Sequence, residues 1–271
     1  MLSNGYKDKR IIVTGASSGM GNAVAQKLVA AGAQVIGADI ADISTDGVIG
    51  KHLDLTDIAT IDGFIAELDD ASIDAVFHCA GLPQTFAAAK VLTVNFVGAR
   101  YFLESLLPKM APDSAITVVA SLVLAWPTHV DDLMPLVNTS SFEDGVQWAQ
   151  ANGEGPHLAA TQNDPYMYSK EVLACWATIM APRWIQRGVR LNILGPGPTN
   201  TPMMGEFEKV VGDVMAQMPQ PMGRNSTPEE QANIMLFMNH PACSYLVGAT
   251  IYADGGLSAS LMTMSAAGLM E

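Results

Sequence analysis

Thr14-Gly15-Ala16-Ser17-Ser18-Gly19-Met20-Gly21 is the segment that most restricts what this chain can become. It lies between Ile11-Ile12-Val13, a short β-branched run, and an alanine-rich stretch over 19–31 with apolar positions at Val24, Leu28 and Val29. The run predicts a buried strand and the stretch a helix, which Gly32 stops. Glycines at the junction let the backbone turn tightly and let another group approach it, since no Cβ stands in the way. The helix that follows turns free N–H groups and a partial positive charge toward whatever occupies the turn. The spacing is G-x-x-x-G-x-G, and directly after the first strand of a βαβ unit it predicts a pyrophosphate site.

The alternation continues along the chain. Strands are predicted at 34–38, ending in Asp39, then at 48–54, 73–78, 115–119, 189–194 and 246–253. Helices are predicted at 56–68, 91–110, 166–187 and 228–238. Thr227 is a good N-cap for the last of these, with Pro228 at its first position. Pro182 is expected to kink the last turns of 166–187. This order implies an α/β fold: a single doubly wound, Rossmann-type parallel sheet with helices on both faces, in one domain over 1–271. Residues 127–165 break the rhythm, with six carboxylates and no Lys or Arg in 39 residues. Such a segment reads either as a solvated surface insertion or as a lid over a site.

Composition narrows the function classes. The chain has 271 residues, 49% apolar and only 15% charged, which excludes disorder and low complexity. The net charge of −13 argues against a nucleic-acid groove or an anionic membrane surface. No run of about 18 apolar residues is present, so no membrane span is expected. The first ten residues hold no apolar signal region, so the expectation is a soluble cytoplasmic protein. Cys79, Cys175 and Cys243 form no C-x-x-C, and His52, His129, His157 and His240 show no metal spacing. No metal is expected.

Asp39 ends the second strand, 18 residues past Gly21. A carboxylate there accepts hydrogen bonds from the ribose hydroxyls of adenosine and repels a 2′-phosphate. No Lys or Arg lies between Gly32 and Gly50, so the expected cofactor is NAD and not NADP.

Further landmarks follow in order: D-L at 54–55, C-A-G at 79–81, V-N at 94–95, Ser121, Y-x-x-x-K at 166–170, P-G-P-T-N-T at 196–201 and D-G-G at 254–256. The set resembles the short-chain dehydrogenase/reductase family over residues 10 to 258. The long gap from Ser121 to Tyr166 narrows the resemblance to bacterial 3α-hydroxysteroid dehydrogenase/carbonyl reductase-like members. C-A-G-L-P-Q-T at 79–85 and P-M-G-R at 221–224 support the same subgroup.

The resemblance implies a catalytic set of Asn95, Ser121, Tyr166 and Lys170. Tyr166 would be the acid/base, Ser121 would orient the substrate oxygen, and Asn95 would anchor a water leading to Lys170. Lys170 lies one helical turn beyond Tyr166, where an ammonium favours the phenolate and can also hold the nicotinamide ribose. Tyr168 faces elsewhere on the helix. The cofactor would lie on Gly15, Ser17, Ser18, Gly19, Met20 and Gly21, with Asp39. Asp54, Leu55, Ala80 and Gly81 would flank the adenosine, and Pro196, Gly197, Thr199 and Thr201 the nicotinamide end. Cys79 replaces the family's usual Asn, which removes an inter-strand hydrogen bond.

The reaction expected is interconversion of a neutral hydrophobic cyclic secondary alcohol, steroid-like or terpenoid, and its ketone. The alternative is a non-catalytic, NAD-binding redox regulator or scaffold of the same fold. An epimerase or dehydratase usually carries a C-terminal substrate domain, and only 18 residues follow Ala253. The insertion offers Leu133, Met134, Leu136, Val137, Trp148 and Leu158, with Trp126 just ahead, as an apolar covering for a ring substrate. It also stands beside a helix that the family uses for assembly, so a homodimer is expected over a homotetramer. The Met-rich tail 261–270 is expected to pack on a partner subunit.

Overall fold

Seven apolar runs become β1 (Arg10–Thr14), β2 (Gln34–Asp39), β3 (Val48–His52), β4 (Ile73–His78), β5 (Met110–Val119), β6 (Val189–Pro196) and β7 (Thr250–Ala253). The computed structural model describes residues 2–68, 72–123 and 126–266. Residues 267–270 of the tail therefore lie outside the described residues. Every neighbouring pair of strands is parallel, in the order β3-β2-β1-β4-β5-β6-β7. The chain thus winds outward from β1 in one direction and returns to wind outward from β4 in the other. That is the doubly wound α/β sheet expected from the sequence.

The pleat divides the core. Ile12, Val76, Ile116 and Ile193 join one apolar cluster, while Ile11, Val13, Phe77 and Leu194 join the other. Alternate side chains of a strand point to opposite faces, so each strand serves both layers. One face is covered by α1 (Gly19–Ala30), which packs on α9 (Pro228–Asn239). Thr227 caps α9 as expected, and Glu230 returns the bond to complete a capping box. The other face carries α2 (Ile58–Ala66), α3 (Ala88–Leu92), α4 (Ala99–Leu106) and α7 (Pro165–Trp184).

Two details depart from the expected helices. The span expected at 91–110 is α3 and α4 joined by a π-helical segment, Thr93–Gly98, and it ends early. Pro108 lacks an N–H, so a tight 3-10 turn over Leu107–Lys109 leads straight into β5 at Met110. α7 passes through Pro182 to Trp184, tightens over Ile185–Arg187, and stops at Gly188 with φ +77°. Helices α8 (Pro202–Gln217) and α10 (Leu257–Ala266) were not marked by the sequence pattern. Among the described residues, no helix is long and apolar enough to cross a membrane.

The segment 127–165 folds into α5 (Val130–Val137), α6 (Phe142–Asn152) and a 3-10 turn over Pro156–Thr161. α5 lies on α7, and α6 lies on α3 and the π segment. Gly145 permits that contact, since a Cβ there would stand 2.7 Å from Val97 Cγ1. Leu133, Leu136 and Leu158 are fully buried and belong to the main core. These side chains, expected over a substrate, pack against the helix layer because α3 and α7 present an apolar outer face to them.

Arg100 of α4 fastens this addition. Its guanidinium is buried and donates to the carbonyls of Val137 (3.0 Å), Thr139 (2.9 Å) and Ser141 (3.2 Å), which form the α5–α6 turn. The Phe96 ring lies 5.3 Å beneath it. Replacing Arg100 by Met removes the charge and leaves the Val137 and Thr139 carbonyls without their donor, while Ser141 O keeps its bond from Gly145 N. Urea unfolding should show a loss of about 2–4 kcal/mol. A change below about 0.5 kcal/mol, the range of ordinary surface substitutions, would exclude the staple.

Candidate active site

The ends of β1 and β4 meet where the chain reverses its direction of winding. A Cβ on Gly15, where φ is +67°, would stand 2.8 Å from the Ala80 nitrogen. A Cβ on Gly21 would stand 2.2 Å from the Gly15 carbonyl oxygen. Only glycine fits either position, and the backbone so brought together forms the floor of a cleft. Gly15, Ser17, Ser18, Gly19, Met20 and Gly21 line it, with Asp39 and Asp54-Leu55 along one side and Ala80-Gly81 and Thr201 along the other. Ser18 is the N-cap of α1 but makes no side-chain cap bond, so the first-turn amides of α1 face the cleft. An anion fits there, and a pyrophosphate is the anion that this floor and helix end suit.

Asp39 is fixed by the backbone. Its Oδ2 accepts from Ser17 N and its Oδ1 from Ala41 N, both at 3.0 Å. Each oxygen retains a lone pair, which is the requirement for gripping a vicinal diol. The Asp54 carboxylate turns inward to Thr56 N (2.8 Å) and Thr56 Oγ1 (2.7 Å), so it shapes the wall.

The departure at Cys79 is compensated. Thr14 Oγ1 bonds His78 Nδ1 at 2.9 Å and accepts from Ala80 N at 3.2 Å, tying β1 to β4 where the family's amide is missing. Burial and the charge of Lys170 bring the His78 imidazole down to about 3, so it is neutral in this hydrogen bond. The Cys79 thiol contacts Met235 Sδ at 3.8 Å and is pushed by burial up to about 12, which leaves it an inert thiol.

The four expected catalytic residues converge from separate elements. Asp164 caps α7 through bonds from Tyr166 N (2.8 Å) and Met167 N (3.3 Å), with Pro165 at the first position. This fixes Tyr166 in the first turn and Lys170 one turn deeper. Ser121, just past the end of β5, hydrogen-bonds the Tyr166 phenol. Lys170 Nζ lies 5.7 Å from the Tyr166 ring centroid and donates to Val119 O at 2.9 Å. Asn95 sits in the π segment and is fully buried. Its Oδ1 accepts from Leu82 N (2.7 Å), and its Nδ2 donates to Leu82 O (2.9 Å) and Ser169 Oγ (3.0 Å). Gly81 joins this group to the cleft, because a Cβ there would lie 3.2 Å from both Asn95 Oδ1 and Lys170 Nζ.

The remaining expected residues divide. Thr201 touches the glycine loop, its methyl 3.3 Å from the Cβ position of Gly19. Thr199 is buried with its hydroxyl bonded to Gly197 O (2.9 Å) and Ser226 Oγ (2.8 Å), which braces the loop after β6. Pro196 ends β6, and Gly197 packs against Asp254, where a Cβ would be 2.6 Å from the Asp254 Cα. Tyr168 points away as expected, its hydroxyl donating to Asp132 O at 2.8 Å and its ring stacked on Trp148. Sequence reasoning missed Phe207, whose ring meets Tyr166, and the Thr14–His78 pair. No motif marks either contact.

Burial dominates the electrostatics. It brings the Lys170 ammonium down to about 8 and pushes the Tyr166 phenol up to about 12, the Ser121 bond pulling the phenol back. The arrangement is a buried phenol with a hydroxyl donor and an ammonium beside it, joined to the cleft through Gly81. Such a group can move a proton to or from an oxygen placed between Ser121 and Tyr166.

Comparison with known proteins agrees with this geometry. The family model for short chain dehydrogenases matches residues 9–125, and that for enoyl-(acyl carrier protein) reductases matches 154–258. Coniferyl-alcohol dehydrogenase of Pseudomonas sp. is 32% identical over 258 residues, covering 93% of this chain and 98% of that one. The chain belongs to the short-chain dehydrogenase family. The two family models stop on either side of the short-chain dehydrogenase's added helices α5 and α6. The 3α-hydroxysteroid dehydrogenase/carbonyl reductase of Comamonas testosteroni is 31% identical, covering 92% of this chain and 96% of that protein. Among solved structures, the 3α-hydroxysteroid dehydrogenase of Pseudomonas sp. B-0831 with NADH superposes with a TM-score of 0.78 at 28% identity. It covers 94% of this chain and 99% of that one. The short-chain dehydrogenase is therefore an oxidoreductase of the hydroxysteroid-dehydrogenase-like kind in its relationships.

The buried lysine has a measurable signature. Its folded value of about 8 lies below the unfolded 10.5. Between those values the unfolded chain holds the extra proton, so this group makes stability rise with pH across that window. The penalty is fully present below about pH 8. Urea unfolding from pH 7.5 to 10 should show wild type gaining stability relative to Lys170→Met. A constant difference would mean that the ammonium is not desolvated.

Proposed function

We propose that this enzyme interconverts a neutral, hydrophobic cyclic secondary alcohol, steroid-like or terpenoid, and its ketone, with NAD as hydride carrier. One observation carries the reading: Tyr166, bonded by Ser121 and flanked by Lys170, belongs to a buried group that Gly81 joins to a cleft whose floor is a glycine loop and whose side is Asp39. The names of two relatives, a coniferyl-alcohol dehydrogenase and a 3α-hydroxysteroid dehydrogenase/carbonyl reductase, support a neutral alcohol on a ring-bearing molecule.

In the oxidation direction Ser121 and Tyr166 hold the substrate hydroxyl, and Tyr166 takes its proton. When bound, the nicotinamide accepts or returns the hydride, and its ring charge favours the phenolate. The Ser121 hydrogen bond works in the same sense and holds the phenol below the value that burial alone imposes. Asn95 has spent both amide protons on Leu82 and Ser169, so it serves a water through the remaining lone pair of Oδ1. In reduction Tyr166 returns the proton to the carbonyl oxygen.

Assembly follows from what α5 and α6 cover. They occupy the outer face of α3 and α7, while Phe237 and Tyr245, after α9 begins, stay exposed at 47% and 102%. Self-association as a homodimer through residues 228–256 is the arrangement that these surfaces favour. Light scattering at micromolar concentration should give a dimer mass, and a monomer would contradict it.

Tyr166→Phe deletes the proton-transfer oxygen and little volume. It should lower kcat at least 1000-fold while NAD binding holds within about threefold. Tyr168→Phe should keep most turnover and cost about 1 kcal/mol of stability. Reversal of the two results would reassign the acid/base.

Asp39 should make NAD at least tenfold better than NADP in kcat/KM, and Asp39→Ala should narrow the ratio. Wild type that prefers NADP would sink the cofactor reading.

A further inference from the structure

Tyr166 is covered, and its cover comes from α8. Phe207 meets the Tyr166 ring edge to face, with centroids 4.8 Å apart and planes at 72°. Phe207 shares a helix face with Met203, four residues earlier, which lines the cofactor cleft. Glu206, on the same turn, accepts a hydrogen bond from Thr85 on the loop after β4 and pairs with Lys209. Val210, on the outer face, is 56% exposed. α8 thus crosses from the loop after β6 to the opposite wall, and Phe207 is the side chain it lowers onto the acid/base.

The substrate must come to the same place. Its oxygen has to reach the Tyr166 hydroxyl at hydrogen-bond distance. The ring that bears this oxygen then extends into the space beside the Tyr166 ring, which Phe207 fills. Entry therefore moves Phe207 outward by the thickness of the entering ring and leaves the two in contact. A flat, unsaturated ring moves it least and meets it in the offset or edge-to-face arrangements that aromatic pairs favour. A saturated cage of the same carbon count is thicker, and its axial hydrogens strain the Glu206–Thr85 contact.

We infer that Phe207 is a specificity-determining residue that selects alcohols and ketones whose reacting carbon adjoins a flat aromatic ring. This rests on the proposed function for the reaction, and not for the contact itself. Within the neutral hydrophobic cyclic alcohols there proposed, it favours those fused to an aromatic ring over the saturated steroid-like or terpenoid ones.

1-Tetralone and 1-decalone test it, because they share carbon count and carbonyl position and differ in one aromatic ring. Calorimetric titration of each ketone into the protein measures binding without turnover, and NADH-dependent reduction is measured beside it. Wild type should bind 1-tetralone about tenfold more tightly than 1-decalone. Phe207→Ala should weaken 1-tetralone about tenfold and 1-decalone by less than twofold. Phe207→Leu keeps an apolar side chain on the helix and should lose the same preference, which guards against a loss caused by unfolding of α8. Phe207→Tyr should retain it. Equal losses on both ketones, no loss on 1-tetralone, or wild type binding neither ketone would overturn the assignment. If the binding preference follows Phe207 but neither ketone is reduced, the assignment stands and the proposed reaction falls. If both are reduced and Phe207 is indifferent, the reaction stands and the assignment falls.

Discussion

The close passage of β1's end past β4's end governs the rest of this molecule. Two backbone segments come within van der Waals distance at Gly15 and Ala80, and a third layer, the first turn of α1, rests on them through Gly21. A side chain at either glycine would force the strands apart. Because the winding direction reverses between β1 and β4, the crevice that opens there is the one place where two loops diverge from adjacent strands. Every expected cofactor contact from Gly15 to Asp39, and Gly81 at the far end, depends on that divergence. Thr14 and His78 hold the strands in register across it, which explains how the chain dispenses with the customary amide.

Two buried cations show how differently the fold treats charge. Arg100 is surrounded by carbonyl oxygens and is spent on structure. Lys170 is placed against Val119 O and close to Gly81, Cys79 and His78, groups that do not neutralise it. The carboxylate next to it in sequence, Glu171, turns to the opposite side and is bonded to His129 Nε2 at 2.6 Å. The ammonium is therefore left without a carboxylate partner, 5.7 Å from the Tyr166 ring centroid. A carboxylate partner for Lys170 would have stabilised the protein and screened the phenol from it.

The strands and their order were legible because β-branched runs between glycine-rich turns have few other solutions. The cleft was legible for the same reason: a glycine that must be glycine leaves a mark. The candidate catalytic residues were marked by an ordered motif set rather than by any one of them. The added helices were not. α5 contains Pro135, α6 contains Gly145, and both are acidic in their first turns, so they read as loop. Their burial depends on apolar faces of α3 and α7 that are distant in the chain. Phe207 was hidden for the same cause, since a contact made by the far side of a helix leaves no local pattern. Cys79 was legible as a departure, but its remedy joins Thr14 and His78 across two strands and leaves no mark in the local sequence.

The π-helical segment over Thr93–Gly98 has a bearing on how such a site tolerates insertion and deletion. A π turn holds one residue more than an α turn, and these six residues are all buried. Loss of any one would let the helix close up as regular α, with a better hydrogen-bond ladder. A loss ahead of Asn95 would also rotate it by about 100° relative to α3, away from Leu82 and Gly81, and a loss behind it would rotate α4 instead. The reading frame of the helix, and not merely the identity of residue 95, is therefore part of the active site. Length variation in this enzyme can collect at α5 and α6, where a whole module was accommodated, but a single codon between Leu92 and Ala99 cannot be spared.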